Sequence, residues 1–220
     1  MLDSSQAHVL AHGGHKSLVL QLENEDAVYK IAHHELITNE LMTHNLVDDR
    51  VSFIVQSDPE VFGSVEGAGV VWGFLKLQHL GNGLRAITPS TLPGFWSNAF
   101  QAVTGLHMAA VLHRDIKPDN ILVVNNELHR NDFDISCLVD SSAAALQMRV
   151  GTEDFCLWQS GEPHKEVDDL ASFVLLCAWL MKLHTGPPIE CFKLMAELAN
   201  APASLVDTAH KSLRVFQEVL

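Results

Sequence analysis

The chain has 220 residues, with 27 Asp and Glu against 14 Lys and Arg, and its formal net charge of −13 argues against a basic face for nucleic acid or anionic lipid. An apolar content of 47% is enough to bury a core in one domain, or in one domain divided into two lobes, and argues against a disordered chain.

In chain order, "SLVLQL" and "DAVYKI" are β-rich runs separated by the polar "ENE", which reads as a hairpin. A helix follows in "HHELITNELMTHNLV", where Leu36, Glu40, Leu41 and His44 recur at spacings of three and four; Leu36 and Leu41 share one face and Glu40 lies near its edge. "RVSFIV" and "AGVVWGFLKL" are further strand candidates, the second ending at the turn "GNG". From Pro93 the period changes: Trp96, Phe100, Val103 and Leu106 are spaced for one helical face, with "STLPG" as its entry. "VLHRDIKPDNILVV" then reads as strand, tight loop, strand, and residues 125–165 as loop. "VDDLASFVLLCAWLMKL" is apolar nearly all round, as a helix at the centre of a lobe would be. Leu205, Ala209, Leu213, Phe216 and Leu220 mark a last amphipathic helix. The pattern is α+β: a single domain over residues 1–220, with a β-rich lobe carrying one helix up to about residue 80 and a mainly helical lobe after it.

The 13 histidines are scattered or in short pairs such as His33-His34, with no zinc frame, so no structural metal is expected. Cys137, Cys156, Cys177 and Cys191 form no CxxC, which suits a reducing compartment without disulfides. The opening "MLDSSQAHVLAHGG" lacks the basic and apolar regions of a leader, and the longest apolar run, residues 173–181, is too short to span a bilayer. The chain therefore reads as soluble, intracellular and cytoplasmic, with no nucleic-acid or membrane partner.

The loop between His113 and Asn120 concentrates an imidazole, a guanidinium, two carboxylates, an ammonium and a carboxamide between apolar flanks. A solvated turn is one reading, but it has no need for Val111 and Leu112 before it or Ile121 to Val124 after it. "HRDIKPDN" resembles the catalytic loop of eukaryotic-type protein kinases, and Lys117 resembles the serine/threonine branch. "GLHMAAVLHRD" is similar to the end of the helix that precedes that loop, and "NDFDIS" stands where the metal-binding DFG would be. The resemblance implies a two-lobed kinase fold that uses ATP with Mg²⁺ or Mn²⁺ and phosphorylates Ser or Thr of a protein substrate. Asp115 would be the base and Lys117 the cation beside the γ-phosphate, while Asn120 and Asp132 would hold metal. His113 would pack under Phe133 and Arg114 would hold the activation segment.

By the same resemblance, "AVYKI" is the third strand, so Lys30 would hold the α- and β-phosphates and pair with Glu40 rather than Glu35; a strand-end surface lysine is the alternative. Gly13 and Gly14 in "HGGHKSLVL" would cover phosphate without the full GxGxxG pattern, or form an ordinary turn. Val19, Val28 and Leu122 would line the adenine pocket. Downstream, Gly151-Thr152 matches the family's GT, with the Thr152 hydroxyl bonding Asp115 or Lys117, but Leu157-Trp158-Gln159 replaces APE. Asp169 would support the catalytic loop from the central helix, or cap that helix. About fifty residues follow it, so a shortened C-lobe is expected.

Asp134 replaces the DFG glycine, which costs roughly 1 to 2 kcal/mol if that position needs positive φ. Its carboxylate would either raise metal affinity or misplace the metal. Ser136, Ser141 and Ser142 are candidate phosphate acceptors facing Arg114, with Asp140 as a built-in anion instead. The expected function is a protein serine/threonine kinase; the alternative is a pseudokinase that binds nucleotide or acts as a scaffold.

Overall fold

A computed structural model describes residues 7–13, 17–23, 25–47, 50–78, 82–83, 92–124, 127–142, 150–152, 155 and 163–183. Strands β1 (Ala7–Gly13), β2 (Ser17–Leu22), β3 (Ala27–His33), β4 (Ser57–Gly67) and β5 (Val70–Gln78) form one antiparallel sheet in the order β1-β2-β3-β5-β4. Helix α1 (His34–Val47) follows β3 directly and packs on this sheet. Strands alternate sides with period two, so Val28, Lys30 and Ala32 share the buried face of β3, opposite Leu77, Leu75 and Gly73 of β5. A Cβ at Gly73 would stand 2.9 Å from Ile37 Cβ and 3.2 Å from His34 Cα, so glycine there is what lets α1 lie close on the sheet.

The hairpin of β2 and β3 and the strand of β5 lie where the sequence places them. Three local readings are corrected. The first is residues 50–55, which form no strand: Phe53 has φ 64°, which breaks an extended run, and Ile54 makes only an isolated bridge to Arg130. Val51, Ile54 and Val55 are apolar because they are buried in this irregular segment. The strand is instead Ser57–Gly67, whose Asp58, Pro59 and Glu60 hide it from a hydrophobic pattern; β4 is a sheet edge with a register break between Asp58 and Phe62, where proline is tolerated. The second is the face of α1: its buried residues are Ile37, Glu40, Thr43, His44 and Val47, with Leu36 and Leu41 only half-buried beside them. Glu40 is thus central, not at the edge, because α1 is covered by the DFD segment as well as by the sheet.

The third is "GNG", where Asn82–Gly83 is not a turn but a short strand, β6, paired with β8 (Ile121–Val124), which in turn pairs with β9 (Glu127–Arg130). Helix α2 (Leu92–Met108) buries Ala99, Ala102, Val103 and Leu106, and sets Phe100 against Phe173 of α3 (Glu166–Leu183), with ring centroids 6.3 Å apart. β7 (Val111–Leu112) pairs with β10 (Cys137–Leu138). β9 and β10 fall inside the stretch read as loop. Val47, Val51, Ile54, Leu106, Val111 and Phe133 form a core that joins α1 to the helical part. The architecture is the expected two-lobed α+β one, and it brings β3, α1, the 113–120 loop and residues 132–134 onto one site. The last expected amphipathic helix lies outside the described residues.

Candidate active site

Lys30 is 3% exposed, so it is not a surface lysine. A buried ammonium needs counter-charge. Its Nζ donates to Glu40 Oε2 at 2.6 Å and to Asp132 Oδ1, and Asp134 Oδ2 lies 3.9 Å away. Burial acts to lower the Lys30 pKa, but Glu40, Asp132 and Asp134 outweigh it and raise the value. Burial likewise acts to raise Asp132, but Lys30 outweighs it and lowers that carboxyl below its ordinary value. Asp134 is pushed up to about 6, by burial first, while Lys30 opposes the rise and Asp132, Glu40 and Asp115 add to it.

The Phe133 ring is fully buried between two imidazoles, with centroids 5.2 Å from His44 and 5.1 Å from His113. His113 is held below its ordinary pKa by burial and by Arg130, which favours the neutral ring. From α1, Asn39 Nδ2 donates to the carbonyls of Phe133, Asp134 and Ser136 at 3.2, 3.0 and 2.9 Å. Sequence reasoning missed this clamp; its one signal was an amide beside Glu40. The positive φ in this segment belongs to Asp132, at 71°, not to Asp134, so the backbone cost expected for a missing glycine does not arise at Asp134. Ser136 is also corrected as a phosphate acceptor: it is 3% exposed, with its Oγ 2.7 Å from Phe133 O and 2.8 Å from Thr43 Oγ1. Ser141 is half-buried, and Ser142 and Asp140 are exposed.

In the 113–120 loop, Asp115 and Lys117 form an ion pair at 2.6 Å, and Thr152 bridges them, donating to Asp115 Oδ1 at 2.8 Å and accepting from Lys117 Nζ at 2.9 Å. The GT hydroxyl therefore touches both candidates. Gly151 makes this approach available: its φ is 92°, and a Cβ there would fall 2.5 Å from Arg114 O. Asn120, in the 3-10 turn Pro118–Asn120, donates from Nδ2 to the Asp115 carbonyl and to its Oδ2, both at 2.9 Å. With the amide nitrogen so used, its oxygen is the atom left to serve a ligand.

Beneath the loop, the fully buried Asp169 accepts from the backbone N–H of His113 at 2.7 Å and of Arg114 at 2.8 Å. His107 Nε2 and His164 Nε2 lie 3.2 and 3.3 Å from its oxygens. Burial would raise this carboxyl, but the two histidines outweigh burial and hold it well below the usual carboxylate range. The helix end is capped elsewhere: Asp168 Oδ2 accepts from Lys165 N–H at 2.7 Å. Sequence reasoning missed both histidines: His107 meets Asp169 from far along the chain, and His164, five residues before it, is one polar residue in a stretch read as loop. Arg114 sits at φ 71°, a conformation costing a non-glycine residue roughly 1 to 2 kcal/mol, and Asp169 is what holds its N–H there. Burial pushes the free Cys137 thiol up, and the Arg114 guanidinium opposes that rise.

Val28 is buried, and Val19 and Leu122 pack against the same cluster, so the three expected adenine contacts share one apolar surface. Gly13 ends β1, paired with Ser17; Gly14 and residues 157–159 lie outside the described residues. For a divalent ion, the donor set is hard oxygen: the Asp132 carboxylate and the Asn120 amide. Among the described residues no three His, Cys, Asp or Glu side chains gather to hold an ion unaided.

A family model described as "Protein kinase domain" matches residues 20–160, and the chain belongs to the protein kinase family. Membership implies ATP and divalent-metal use in general terms. The chain is similar to "Mitogen-activated protein kinase kinase 7" of Arabidopsis thaliana, 35% identical over 35% of this chain and 24% of that protein. It also resembles "Putative serine/threonine-protein kinase R436" of Acanthamoeba polyphaga mimivirus, 31% identical over 39% of this chain and 33% of that protein. A third relative, "Dual specificity protein kinase TTK" of Mus musculus, is 29% identical over 32% of this chain and 8% of that protein. The matched stretch thus spans at most a third of these relatives. Among the described residues no helix is long and apolar enough to cross a membrane.

Proposed function

We propose that this chain is an active protein serine/threonine kinase that transfers the γ-phosphoryl group of ATP to a hydroxyl of a protein substrate. The observation that carries the reading is that the Lys30–Glu40 pair and the Asp115–Lys117–Thr152 cluster are both formed in one structure. Asp115 orients the acceptor hydroxyl and takes its proton as the new P–O bond forms and ADP leaves. Lys117, fixed by Asp115 and Thr152, stands ready to neutralise charge on the moving phosphoryl group. Lys30, aimed by Glu40, binds the other phosphates, while Asp132 and Asn120 would hold a divalent ion. That ion, Mg²⁺ or Mn²⁺, supplies charge neutralisation of the phosphates. Val19, Val28 and Leu122 take the adenine.

The lobe division near residue 80, an intracellular location and a protein partner without nucleic acid or membrane belong to the same reading. A pseudokinase is the second reading, favoured by one observation: Lys30 already faces three carboxylates, so nucleotide must compete for it. A γ-phosphoryl transfer assay with Mg²⁺ or Mn²⁺ on mixed basic and acidic protein acceptors separates them. Transfer to Ser or Thr that falls by about 10² to 10⁴ in Asp115→Asn supports the kinase. Nucleotide binding without transfer supports the second reading.

A further inference from the structure

The site holds one charge more than the proposed mechanism uses. Lys30 Nζ is surrounded by Glu40 at 2.6 Å, Asp132 in direct contact and Asp134 at 3.9 Å, one ammonium against three carboxylates. The neighbouring pair of Asp115 and Lys117 is internally neutral and offers no spare cation. Side-chain exposure at Asp134 is 14%, so solvent screens its charge poorly. Asn39 holds the Asp134 backbone through its carbonyl at 3.0 Å, and the Asp134 carboxylate lies 3.9 Å from Lys30 Nζ.

An anionic triphosphate that enters without a cation meets net negative charge at the lysine meant to receive it. A divalent ion cancels that charge, and Asp132 and Asp134 each place a carboxylate oxygen near the same ammonium, which brings the two acids close to one another. We propose that Asp134 is a specificity-determining residue that restricts nucleotide binding to the metal complex and turns away the metal-free nucleotide. The inference rests on the nucleotide-binding reading above. It differs from that reading in assigning the metal requirement to Asp134 rather than to Asp132 and Asn120 alone.

The test is calorimetric binding of ADP and a non-hydrolysable ATP analogue at pH 8, with Mg²⁺ or with EDTA, to the wild-type chain, Asp134→Asn and Asp134→Gly. No turnover is needed for the readout. The wild-type chain binds the magnesium complex far more tightly than the free nucleotide. In both variants free-nucleotide affinity rises by about tenfold, the scale of one charge removed at this distance in a partly screened site, and the gap narrows accordingly. Having two variants guards against one that fails to fold, which the apo melting temperature reports. An unchanged gap in folded variants overturns the role of Asp134 and leaves the nucleotide-binding reading intact. Absence of binding by the folded wild-type chain under either condition overturns both.

Discussion

Asp169 is fully buried and Asp134 half-buried, and desolvation acts to raise both carboxyls, yet the outcomes are opposite. Asp169 receives two backbone N–H groups and faces two histidines, and its carboxyl is held far below its ordinary value. Asp134 has part of one ammonium, already taken by two other carboxylates, and is pushed up to about 6. The difference shows that donor count, not depth, decides whether a buried acid stabilises. The two halves of the site differ accordingly. The 113–120 loop is anchored from below by Asp169, whereas the Lys30 cluster sets one ammonium against three carboxylates.

Asp169→Ala should disturb this contrast most, because it strands two backbone donors and two imidazoles; urea unfolding should show a loss of about 3 kcal/mol. A loss too small to measure would mean that the loop is held by other contacts. The same carboxyl sets an acid limb. Its pKa is depressed on folding, so its stabilisation is present above about pH 4 and disappears as pH falls toward the folded value. Asp169→Asn should flatten that limb in melting curves taken between neutral and acid pH, and an unaltered limb would rule out the anchoring role.

How far these features are readable from sequence follows their range along the chain. The loop residues can be read because eight consecutive positions carry their own chemistry, and β2, β3 and β5 because apolar content and alternation agree. β4 escapes because an edge strand carries Asp58, Pro59 and Glu60, while the apolar 50–55 segment is buried without being extended. Asn39 and His107 escape because each is a polar residue in an ordinary helical context whose partner lies far along the chain. His164 escapes because a lone histidine in a loop five residues before Asp169 does not show that the two side chains meet. Glu40 is legible as a partner of Lys30, yet its central place on α1 is not, since hydrophobic periodicity assigns a charged residue to the rim.

Smaller effects separate the two halves further. Asn39→Ala removes one amide from three carbonyls and should lower stability by about 1 to 2 kcal/mol, with hydrogen exchange at residues 133–136 rising more than elsewhere. Uniform exchange would show that α1 does not clamp the segment. Asp134→Asn should act in the other direction and stabilise the apo chain at neutral pH by about 1 kcal/mol, since it removes a poorly compensated, half-buried charge. A destabilised variant would mean that Lys30 depends on Asp134 as a true partner.

If the chain is a kinase, Lys30 and Lys117 converge on the phosphates of one nucleotide, and covalent labelling reads that convergence residue by residue. An acyl-phosphate derivative of ATP transfers its acyl group to a lysine amine held beside the phosphates, and peptide mass spectrometry identifies which lysine reacted. With Mg²⁺ present, acylation should fall on Lys30 and Lys117 and be suppressed by excess ATP. Labelling confined to exposed lysines such as Lys165, or labelling that ATP does not suppress, would show that the two lysines do not share a nucleotide.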